Sequence, residues 1–510
     1  MAKLYEFQSK SLLQKQGFSI PEGYLSRTPE EARRIAATLA RPVVIKAQAW
    51  VTGRSQSGGI GFANAPDQAY AESERILGMQ LKEFTVEQVL VEERLNIEQE
   101  YFLGLIIDDM NQAPMVVFSA MGGTGIEEIA AEHPDQVVRY TVDIATGIQT
   151  YQVENLLGGL GIHGRLQERL CDAIVKFYGL CKKYEMRSAE INPLVLTDTG
   201  EIVAADCHAV VDDYAVFRHP ELNIEIAREF DRPPTELEKV AHQVEAGDHR
   251  GTFYFFQMAL QPASGKTYVG FHGAGGGGSM MSMDALLSQG FAIANYCDTS
   301  GNPSASKVYR AAKIILSQEN IIAYFASGSG VASQEQFHSA RGLVKAFCEA
   351  NLSLPAVIRI GGNAEEEAIE ILTTFTRQLP GEVQAYGRDT SALYCAQRLK
   401  AMVDKWDIRQ PAQIQFEIKK APAEAYRFDT LTGCISIDHG RCSDCIEKPC
   451  VESCDARILK FEAGKPVLSI SQAEAQKGRC TECLACELAC KFHGNQAIFI
   501  DLPIPGLERI

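Results

Sequence analysis

Eight cysteines near the C-terminus have the side-chain type and the spacing of iron-binding thiolates. They form two runs, C-x2-C-x4-C-x3-C and C-x2-C-x2-C-x3-C, which consist of Cys442, Cys445, Cys450 and Cys454 and of Cys480, Cys483, Cys486 and Cys490. The second spacing is typical of bacterial [4Fe–4S] sites, in which the fourth cysteine of a run ligates the cluster of the other run. The sequence therefore predicts two clusters, one bound by Cys442, Cys445, Cys450 and Cys490 and the other by Cys480, Cys483, Cys486 and Cys454.

Structural zinc and disulfides are the alternative uses of these cysteines. Zinc sites with four cysteines usually combine two separated C-x2-4-C pairs, and disulfides form in oxidising compartments. The N-terminal segment has no apolar core of signal-peptide length, so the sequence favours clusters in a reducing cytoplasm. The two runs resemble those of dicluster bacterial ferredoxins, although Asp455 and Lys491 stand where proline usually follows the fourth cysteine. The resemblance implies an electron-transfer domain over residues 425–510.

The composition is that of a globular protein with enough apolar residues for sizeable cores. The chain has 510 residues, 46% hydrophobic and 22% charged, and a chain of this length typically forms about three domains. The formal net charge of −16 disfavours non-specific binding to nucleic acid or to an anionic membrane surface. No apolar run reaches the roughly 18 residues of a membrane span. We therefore expect a cytoplasmic protein, and the clusters indicate oxygen-poor metabolism.

Strands and helices alternate along most of the chain, and one break separates two α/β regions. The first region covers residues 1–228, and the segment Asp231-Arg232-Pro233-Pro234 breaks the chain after it. In the second region, residues 229–410, strands that end in small residues precede helices. This order predicts parallel βαβ units with ligand loops at the carboxyl ends of the strands. A strand pair at Cys434–Asp438 and Ala497–Asp501 would flank the cysteine runs.

The segment VVIKAQAWVTGRSQSGGI, residues 43–60, has the composition of a phosphate-binding loop. Backbone NH groups of its glycine-rich part, together with Lys46 on the preceding strand, can hold a polyphosphate. Asn192 and Asp206 lie on neighbouring predicted strands and offer the hard oxygen ligands that magnesium prefers when it carries substrate phosphates. Each signal also has an unspecific alternative, because glycine-rich loops and polar strand ends are common on solvated surfaces.

Over about the first 400 residues, the chain resembles the β-subunit of succinyl-CoA synthetase, an ATP-grasp acid–CoA ligase. The collinear segments are LYEFQSKSLLQKQG, KAQAWVTGRSQSGG, MGGTGIEEIAAEHP, EINPLVLTDTGEIVAADC, FRHPEL, GAGGGGSMMSMDALLSQG and IRIGGNAEEEAIEIL. The resemblance implies an ATP-grasp domain over residues 1–228 and a flavodoxin-like parallel α/β domain over residues 229–410. It also implies that ATP or GTP phosphorylates a histidine of a partner α-like subunit. The phosphohistidine would activate a carboxylic acid as an acyl phosphate, from which CoA displaces the phosphate.

The same resemblance implies roles for individual residues. The nucleotide phosphates would be contacted by Lys46, Gly53, Arg54 and Ser55. Glu92 would lie at the adenine–ribose hinge, and Glu100 would lie near the ribose or the triphosphate. Mg2+ would be bound by Asn192 and Asp206. The phosphohistidine would be faced by Glu190 and by the loop residues Gly328, Ser329 and Gly330.

The chain departs from the family pattern at polar positions of both expected sites. Gln56 replaces a lysine of the phosphate loop, and His208 replaces a lysine shortly after the magnesium aspartate. In the second region, His272 stands where the family has asparagine, and the loop Gly328–Ser333 lacks the family's arginine. The polar groups that would recognise the acid have therefore changed, and succinate cannot be assumed to be the substrate.

Three functions of different classes are compatible with these residues. The first is a β-like subunit of an ADP-forming acid–CoA ligase with a fused electron-transfer domain. Its CoA site and phosphoacceptor histidine would belong to an α-like subunit, in a heterodimer or an α2β2 assembly. The second is an ATP-driven low-potential electron-transfer protein that serves a redox enzyme. The third is a binding module whose clusters only stabilise the tail or sense oxygen; the nucleotide-binding residues favour the first two.

Overall fold

The computed structural model describes residues 2–51, 53–82, 84–122, 126–224, 232–248, 252–258, 265–328, 330–406, 416 and 419–509. The chain forms two compact units, Met1–Pro234 and Thr235–Ile510. The predicted boundary positions 228 and 229 and Asp231 lie outside the described residues. Among the described helices, none combines the length and the apolar composition that a membrane span requires.

The first unit is built from antiparallel sheets and helices that cover them. Its helices are α1 (Glu6–Lys15), α2 (Pro29–Leu39), α3 (Pro66–Ile76), α4 (Ile126–Glu132), α5 (Thr150–Gly159) and α6 (Gly164–Lys183). Its strands are β1 (Ala2–Lys3), β2 (Gly23–Ser26), β3 (Val43–Ala47), β4 (Ile60–Ala63), β5 (Gln80–Leu81), β6 (Phe84–Thr85), β7 (Val89–Glu93), β8 (Ile97–Asp108), β9 (Ala113–Ser119), β10 (Val137–Thr141), β11 (Met186–Thr197), β12 (Ile202–Ala204) and β13 (His208–Val211).

Two sheets of this unit carry the predicted nucleotide residues. The larger sheet has the order β1-β13-β11-β8-β9-β10, with β12 beside β11, and the smaller sheet has the order β2-β7-β3-β4. The strands of both sheets pair antiparallel. Side chains along β4 alternate between buried and more exposed positions, as is common in antiparallel sheets that have one face in the core. Helix α2 begins where the Thr28 hydroxyl accepts the Glu31 backbone NH and Pro29 opens the first turn.

The second unit contains a mostly parallel sheet followed by a cysteine-rich segment. Its helices are α7 (Glu236–Ala246), α8 (Gly276–Ser288), α9 (Ala305–Leu316), α10 (Phe337–Glu349), α11 (Glu365–Phe375), α12 (Ala392–Lys405), α13 (His439–Cys442), α14 (Pro449–Glu452), α15 (Gln472–Glu474) and α16 (Ala485–His493). Its strands are β14 (Tyr254–Gln257), β15 (Tyr268–Ala274), β16 (Ala292–Ile293), β17 (Asn295–Asp298), β18 (Ile321–Gly328), β19 (Ala356–Arg359), β20 (Val383–Tyr386), β21 (Tyr426–Asp429), β22 (Cys434–Ile437), β23 (Leu459–Glu462), β24 (Lys465–Leu468) and β25 (Ile498–Asp501).

The main sheet of the second unit has the strand order β14-β17-β15-β18-β19-β20. Pairing is parallel from β17 to β20, and only the edge strand β14 is antiparallel. The predicted parallel βαβ arrangement is therefore confirmed. Its strands β15 and β18 are buried almost throughout, as expected for a parallel sheet with helices on both faces.

The cysteine-rich segment forms a small three-stranded sheet with the order β21-β22-β25. Strands β22 and β25 pair antiparallel, with Cys434 opposite Asp501, which confirms the predicted strand pair around the cysteine runs. The segment shares one continuous hydrophobic core with helices α9 to α11, and Phe375 stacks on Phe492 with ring centroids 4.1 Å apart. The last 90 or so residues thus pack as part of the second unit rather than as a separate body.

Candidate functional site

An open cleft of about 2060 Å³ lies in the first unit. It is lined by all the residues of this unit for which the sequence predicts a role, namely Lys46, Gly53, Arg54, Ser55, Glu92, Glu100, Glu190, Asn192 and Asp206. These residues are up to 160 positions apart in sequence, and the strands β3, β7, β8 and β11 bring them to one place. The tertiary structure therefore assembles the predicted set into a single cavity.

A buried carboxylate, Glu6 at the start of α1, pairs with two of the cations that line this cleft. Its Oε1 atom pairs with Lys46 Nζ at 3.0 Å and with Lys10 Nζ at 2.8 Å, and its Oε2 atom accepts from Arg54 at 2.8 Å. Burial alone would raise the pKa of Glu6, but the three cations outweigh it and hold this pKa well below its usual range. Glu6 is therefore ionised and fixes the direction of both predicted phosphate-binding cations.

Glu92 and Asp206 complete the network from two further strands. Glu92 accepts from Lys46 Nζ at 2.6 Å and from Lys10 Nζ at 2.7 Å, so it is buried between two lysines. Asp206 Oδ2 accepts from the Arg54 guanidinium at 2.7 Å. Burial disfavours the charged form of Lys46, yet Glu6, Glu92 and Asp206 raise its pKa above the usual range. The pKa of Arg54 is raised in the same way by Asp206 and Glu6, so both cations keep their charge although they are largely buried.

Removal of the central carboxylate should destabilise the first unit. We expect Glu6→Gln to lower the free energy of unfolding by about 3–5 kcal/mol, because three buried cations would share two remaining carboxylates. Chemical denaturation of the purified chain measures this loss. The matched variant Glu30→Gln removes a carboxylate that is 62% exposed in a 4.0 Å pair with Arg33, and it should cost about 1 kcal/mol or less. Equal stability of the two variants would contradict the central role of Glu6.

One oxygen of the predicted magnesium aspartate has no hydrogen-bond partner. Asp206 Oδ1 is buried and unpaired among the described residues, although His208 Nε2 lies 3.8 Å away. A buried carboxylate oxygen without a donor is costly, and a cation would satisfy it. Among the described side chains, no group of three or more His, Cys, Asp or Glu residues is arranged to hold a metal ion by itself. Mg2+ commonly needs only one or two carboxylates when substrate phosphates complete its shell, so Asp206 with Asn192 fits it.

Glu190 is on strand β11 and lines the same cleft as Asp206, whose charge acts on it. In the sheet it stands opposite His208 on one side and Gly104 on the other. Burial raises the pKa of Glu190; His208 opposes this effect, whereas Asp206 and Glu127 add to it. The cleft therefore has a carboxyl group of raised proton affinity next to the predicted magnesium site.

The predicted loop of the second unit follows β18 and closes a small cavity. Gly328 and Gly330 line this cavity of about 40 Å³, and Ser329 lies outside the described residues. Gly330 has a φ of +79°, and a side chain at Gly361 would begin 2.5 Å from the Gly330 Cα atom. The Gly330 backbone therefore blocks a side chain at Gly361, and a side chain at Gly330 would be strained by the positive φ. Arg359 anchors the same loop by donating to the Gly328 carbonyl at 2.7 Å.

His272, which replaces the family's asparagine, is buried in the wall of this cavity. Its Nδ1 atom lies 2.5 Å from the Tyr324 hydroxyl, and its Nε2 atom lies 3.3 Å from Thr299 Oγ1. Burial lowers the pKa of His272 to about 4, so the imidazole is neutral at physiological pH. His272 is thus an uncharged hydrogen-bonding group at the end of β15.

The lowered pKa of His272 predicts that acid destabilises the second unit. The unfolded chain binds a proton at this side chain below about pH 6.5, whereas the folded chain does so only near pH 4, so stability falls as the pH drops between these values. Between pH 7 and pH 5, we expect the free energy of unfolding to fall by about 2 kcal/mol less in His272→Asn than in the unaltered chain. Urea unfolding of both proteins at the two pH values measures the difference. An identical pH dependence in the variant would show that His272 does not titrate in this way.

The eight clustered cysteines fall into two electrostatic groups. Burial raises the pKa of Cys442 to about 11 and that of Cys450 to about 12, and the neighbouring thiols that add to both shifts include Cys490 and Cys445. Burial also raises the pKa of Cys480 to about 12 and that of Cys486 well above its usual range. The neighbouring thiols that add to these two shifts are Cys454, Cys483 and, for Cys486, also Cys480. In each case the neighbours belong to the same predicted quartet, including the cysteine from the other run.

The described cysteines are all unbridged, and among the described side chains no group of three or more His, Cys, Asp or Glu residues is arranged to hold a metal ion by itself. A [4Fe–4S] cluster attaches each thiolate to a different iron, so its thiolate sulfurs are farther apart than those that share one ion. Eight largely buried thiols in two groups of four fit such clusters by number and by ligand type.

Sequence reasoning missed several residues that the structure places at these sites. Glu6 and Lys10 are four positions apart on α1, a spacing that is common for ion pairs on helix surfaces, yet both residues are 2% exposed. Arg359 precedes the glycine pair of the segment IRIGGN, which is the signal that could have indicated its contact with the Gly328 loop. Burial of a charged side chain is the property that periodicity alone does not give.

Comparisons with known proteins agree with this architecture. A model of the ATP-grasp domain family matches residues 3–196, and a model described as ATP citrate lyase citrate-binding matches residues 258–398. An ATP citrate lyase from Methanothrix soehngenii, solved in complex with citrate and coenzyme A, has a TM-score of 0.65 at 19% identity. The match covers 78% of this chain and 99% of that chain, and at this identity it shows a shared fold. The chain therefore has an ATP-grasp region followed by an α/β region of the CoA-ligase or citrate-binding type.

Sequence relatives define the family more closely. The β-subunit of a GDP-forming succinate–CoA ligase from Thermus thermophilus is 35% identical over 369 residues, which are 72% of this chain and 93% of that protein. A β-subunit of an ADP-forming succinate–CoA ligase from Archaeoglobus fulgidus is 34% identical over 385 residues, 75% of this chain and 95% of that protein. The chain belongs to the succinate–CoA ligase β-subunit family, whose members are ATP-grasp ligases that form a carbon–sulfur bond.

Proposed function

We propose that this chain is the β-like subunit of an acid–CoA ligase that uses ATP or GTP and Mg2+ and acts with an α-like partner. The observation that carries the proposal is the cleft of the first unit. There Lys46 and Arg54 both pair with Glu6, Arg54 also pairs with Asp206, and Asp206 Oδ1 has no hydrogen-bond partner among the described residues. The relatives named succinate–CoA ligases support it, since the chain spans more than nine-tenths of their length.

The side chains of the cleft can bind a nucleotide and position its terminal phosphate. Lys46 and Arg54 are held in fixed directions, so they would neutralise phosphate charge with little loss of side-chain freedom. Asn192 and Asp206 would hold Mg2+, which supplies charge neutralisation for phosphoryl transfer when it is bound. Glu190 would act on the transferred group, because it adjoins the aspartate and has a raised pKa. Gly53, Ser55, Glu92 and Glu100 would complete the wall around the nucleotide.

The partner requirement gives the decisive test of this function. We expect the isolated chain to form no acyl-CoA, and activity to arise only with an α-like protein that binds CoA and becomes phosphorylated on histidine. Glu190→Gln should slow the phosphorylation of that partner more than it weakens nucleotide binding, because it acts on the transferred group. Radiolabel transfer from ATP to the partner and thioester formation from a panel of carboxylic acids measure both steps. Acyl-CoA synthesis by this chain alone would contradict the two-subunit function.

We also propose that residues 425–510 form a ferredoxin-type domain with two [4Fe–4S] clusters. The first would be bound by Cys442, Cys445, Cys450 and Cys490, and the second by Cys480, Cys483, Cys486 and Cys454. Support comes from the spacing of the runs and from the electrostatic grouping of the thiols across them. The clusters would supply one-electron transfer when bound, and a redox enzyme would be a further partner. A reducing, cytoplasmic location is part of the same proposal, because thiols that bind clusters stay reduced in such a compartment.

A second candidate function is ATP-driven electron transfer at low potential. It is favoured by the shared core of the second unit, because the cysteine-rich segment is continuous with the region that carries the Gly328 loop. Co-purification distinguishes the two functions. A CoA-binding partner with a phosphoacceptor histidine indicates the ligase, whereas a redox enzyme alone indicates ATP-driven electron transfer.

A further inference from the structure

Helix α10 lies between the Gly328 loop and the cysteine-rich segment within the second unit. Its N-terminal turns face the cavity of that loop, because Gln336, Ser339 and Leu343 line the cavity together with Gly328 and Gly330. The cap residue Gln336 is also fixed, since its backbone NH donates to the Asn363 carbonyl at 2.8 Å. One side of α10 therefore belongs to the proposed phosphohistidine loop.

Three other residues of α10 contact the cysteine-rich segment. They are Arg341, Lys345 and Cys348, whose spacing of four and then three positions places them on one stripe of the helix. Their partners are, in the same order, Asp455, Glu487 and Lys491. Each partner directly follows a proposed cluster ligand in the sequence, namely Cys454, Cys486 and Cys490. The stripe therefore touches the chain immediately beside three of the eight thiols.

The two ion pairs of this stripe are short, and their cations are largely buried. Arg341 donates to Asp455 Oδ2 at 2.7 Å, with the arginine side chain 12% and the aspartate side chain 42% exposed. Lys345 donates to both oxygens of Glu487, at 2.8 and 2.9 Å, and its side chain is only 6% exposed. Arg341 is also among the charges that act on the Cys483 thiol. The two cations thus hold the cluster-bearing segment against α10 and lie within its electrostatic reach.

This docking accounts for the departures from the usual ferredoxin run. Proline after the fourth cysteine has no side chain that can form an ion pair or a polar contact. In this chain Asp455 and Lys491 occupy those positions, and both make contacts with α10. The substituted positions are therefore the ones that attach the segment to the ligase-like region.

We propose that α10 couples the two centres of the second unit, so that reduction of a cluster alters the proposed phosphohistidine loop and binding at that loop alters the reduction of the cluster. The inference rests on the proposed clusters. An added electron places negative charge beside Arg341 and Lys345 and strengthens their attraction to the segment. A helix of 13 residues, about 20 Å long, moves as one body, so its opposite side at Ser339 and Leu343 must respond. Coupling of this kind is reciprocal by thermodynamic linkage.

Hydrogen exchange of the iron-loaded chain tests the coupling. Dithionite delivers one electron to a [4Fe–4S] cluster, which passes from the 2+ to the 1+ state. We expect the amides of residues 336–343 to exchange about fivefold more slowly after reduction, the lower end of typical coupling factors. The variant Arg341→Gln should abolish this difference. Exchange that is equal in both redox states, or a difference that persists in the variant, would overturn the coupling.

The potential of the clusters measures the electrostatic action of Arg341 on which the coupling depends. We expect Arg341→Gln to disfavour reduction of one cluster about tenfold, which is about 59 mV for one electron. Arg377→Gln is the matched control, because it removes an exposed arginine that follows α11, and both potentials should stay as in the unaltered chain. Equal potentials in the two variants would count against the coupling.

Iron content separates failure of the coupling from failure of the proposed function. A chain reconstituted without oxygen that binds no iron overturns the clusters and the coupling together. A chain that binds about eight iron but shows redox-independent exchange keeps the clusters and overturns the coupling alone.

Discussion

Asp206→Ala is expected to reduce the rate of phosphoryl transfer from ATP to the partner by about 10³-fold, which corresponds to about 4 kcal/mol of transition-state stabilisation. Asp206 offers the buried oxygen that lacks a partner, and it also directs the Arg54 guanidinium at 2.7 Å. Its loss would remove the proposed Mg2+ ligand and release the Arg54 guanidinium, which we propose binds phosphate. Asn192→Ala should have a smaller effect in the same direction, because the carboxylate remains. Partner phosphorylation at varied Mg2+ concentration measures both.

The control for this experiment is Asp172→Ala on α6. Asp172 is exposed, and among the described residues its ion pair is with Lys176 at 2.6 Å, so its removal should change neither nucleotide binding nor transfer. The iron content of all three variants should equal that of the unaltered chain, since the cysteines lie in the other unit. Wild-type rates for both Asp206→Ala and Asn192→Ala would show that the assignment of the magnesium site is wrong.

Cys442→Ser should lose about half the iron, from about eight to about four atoms per chain. The reason is that one thiolate of a four-thiolate set is replaced while the other set stays complete. Iron and sulfide analysis after anaerobic reconstitution measures the loss, and absorbance near 400 nm should fall in proportion. Cys395→Ser, a buried cysteine of α12 outside both runs, should retain all the iron.

Paired substitutions decide which cysteines share a cluster. If ligands cross between the runs, Cys442→Ser with Cys490→Ser affects one cluster, and the double variant keeps about half the iron. Cys442→Ser with Cys454→Ser then affects both clusters and leaves almost none. The opposite outcome, with half the iron retained only when Cys442 and Cys454 are replaced together, would mean that each run forms its own cluster. Zinc in place of iron in anaerobically purified protein would refute the clusters altogether.

Local sequence patterns were sufficient to predict which residues could do chemistry and in what order the elements occur. Cysteine spacing reports a local property, because the ligands of one run lie within a few residues of each other. The parallel strands β15, β18 and β19 were predictable because apolar runs ending in small residues, followed by amphipathic helices, specify βαβ units. The family segments likewise indicated Lys46, Asn192 and Asp206, which the structure brings to one cleft.

How charged side chains pair across distant elements becomes visible only in the tertiary structure. Glu6 and Arg54 are 48 positions apart, and Arg54 and Asp206 are 152 apart, so no local pattern shows that they meet. The same holds for Arg341 and Asp455, which are 114 positions apart; Asp455 stands where the cysteine runs that this chain resembles usually have proline, and it contacts α10. Whether a charged side chain is solvated or buried depends on which elements pack over it. Only a buried charge needs a partner of opposite charge, because an unpaired buried charge is costly.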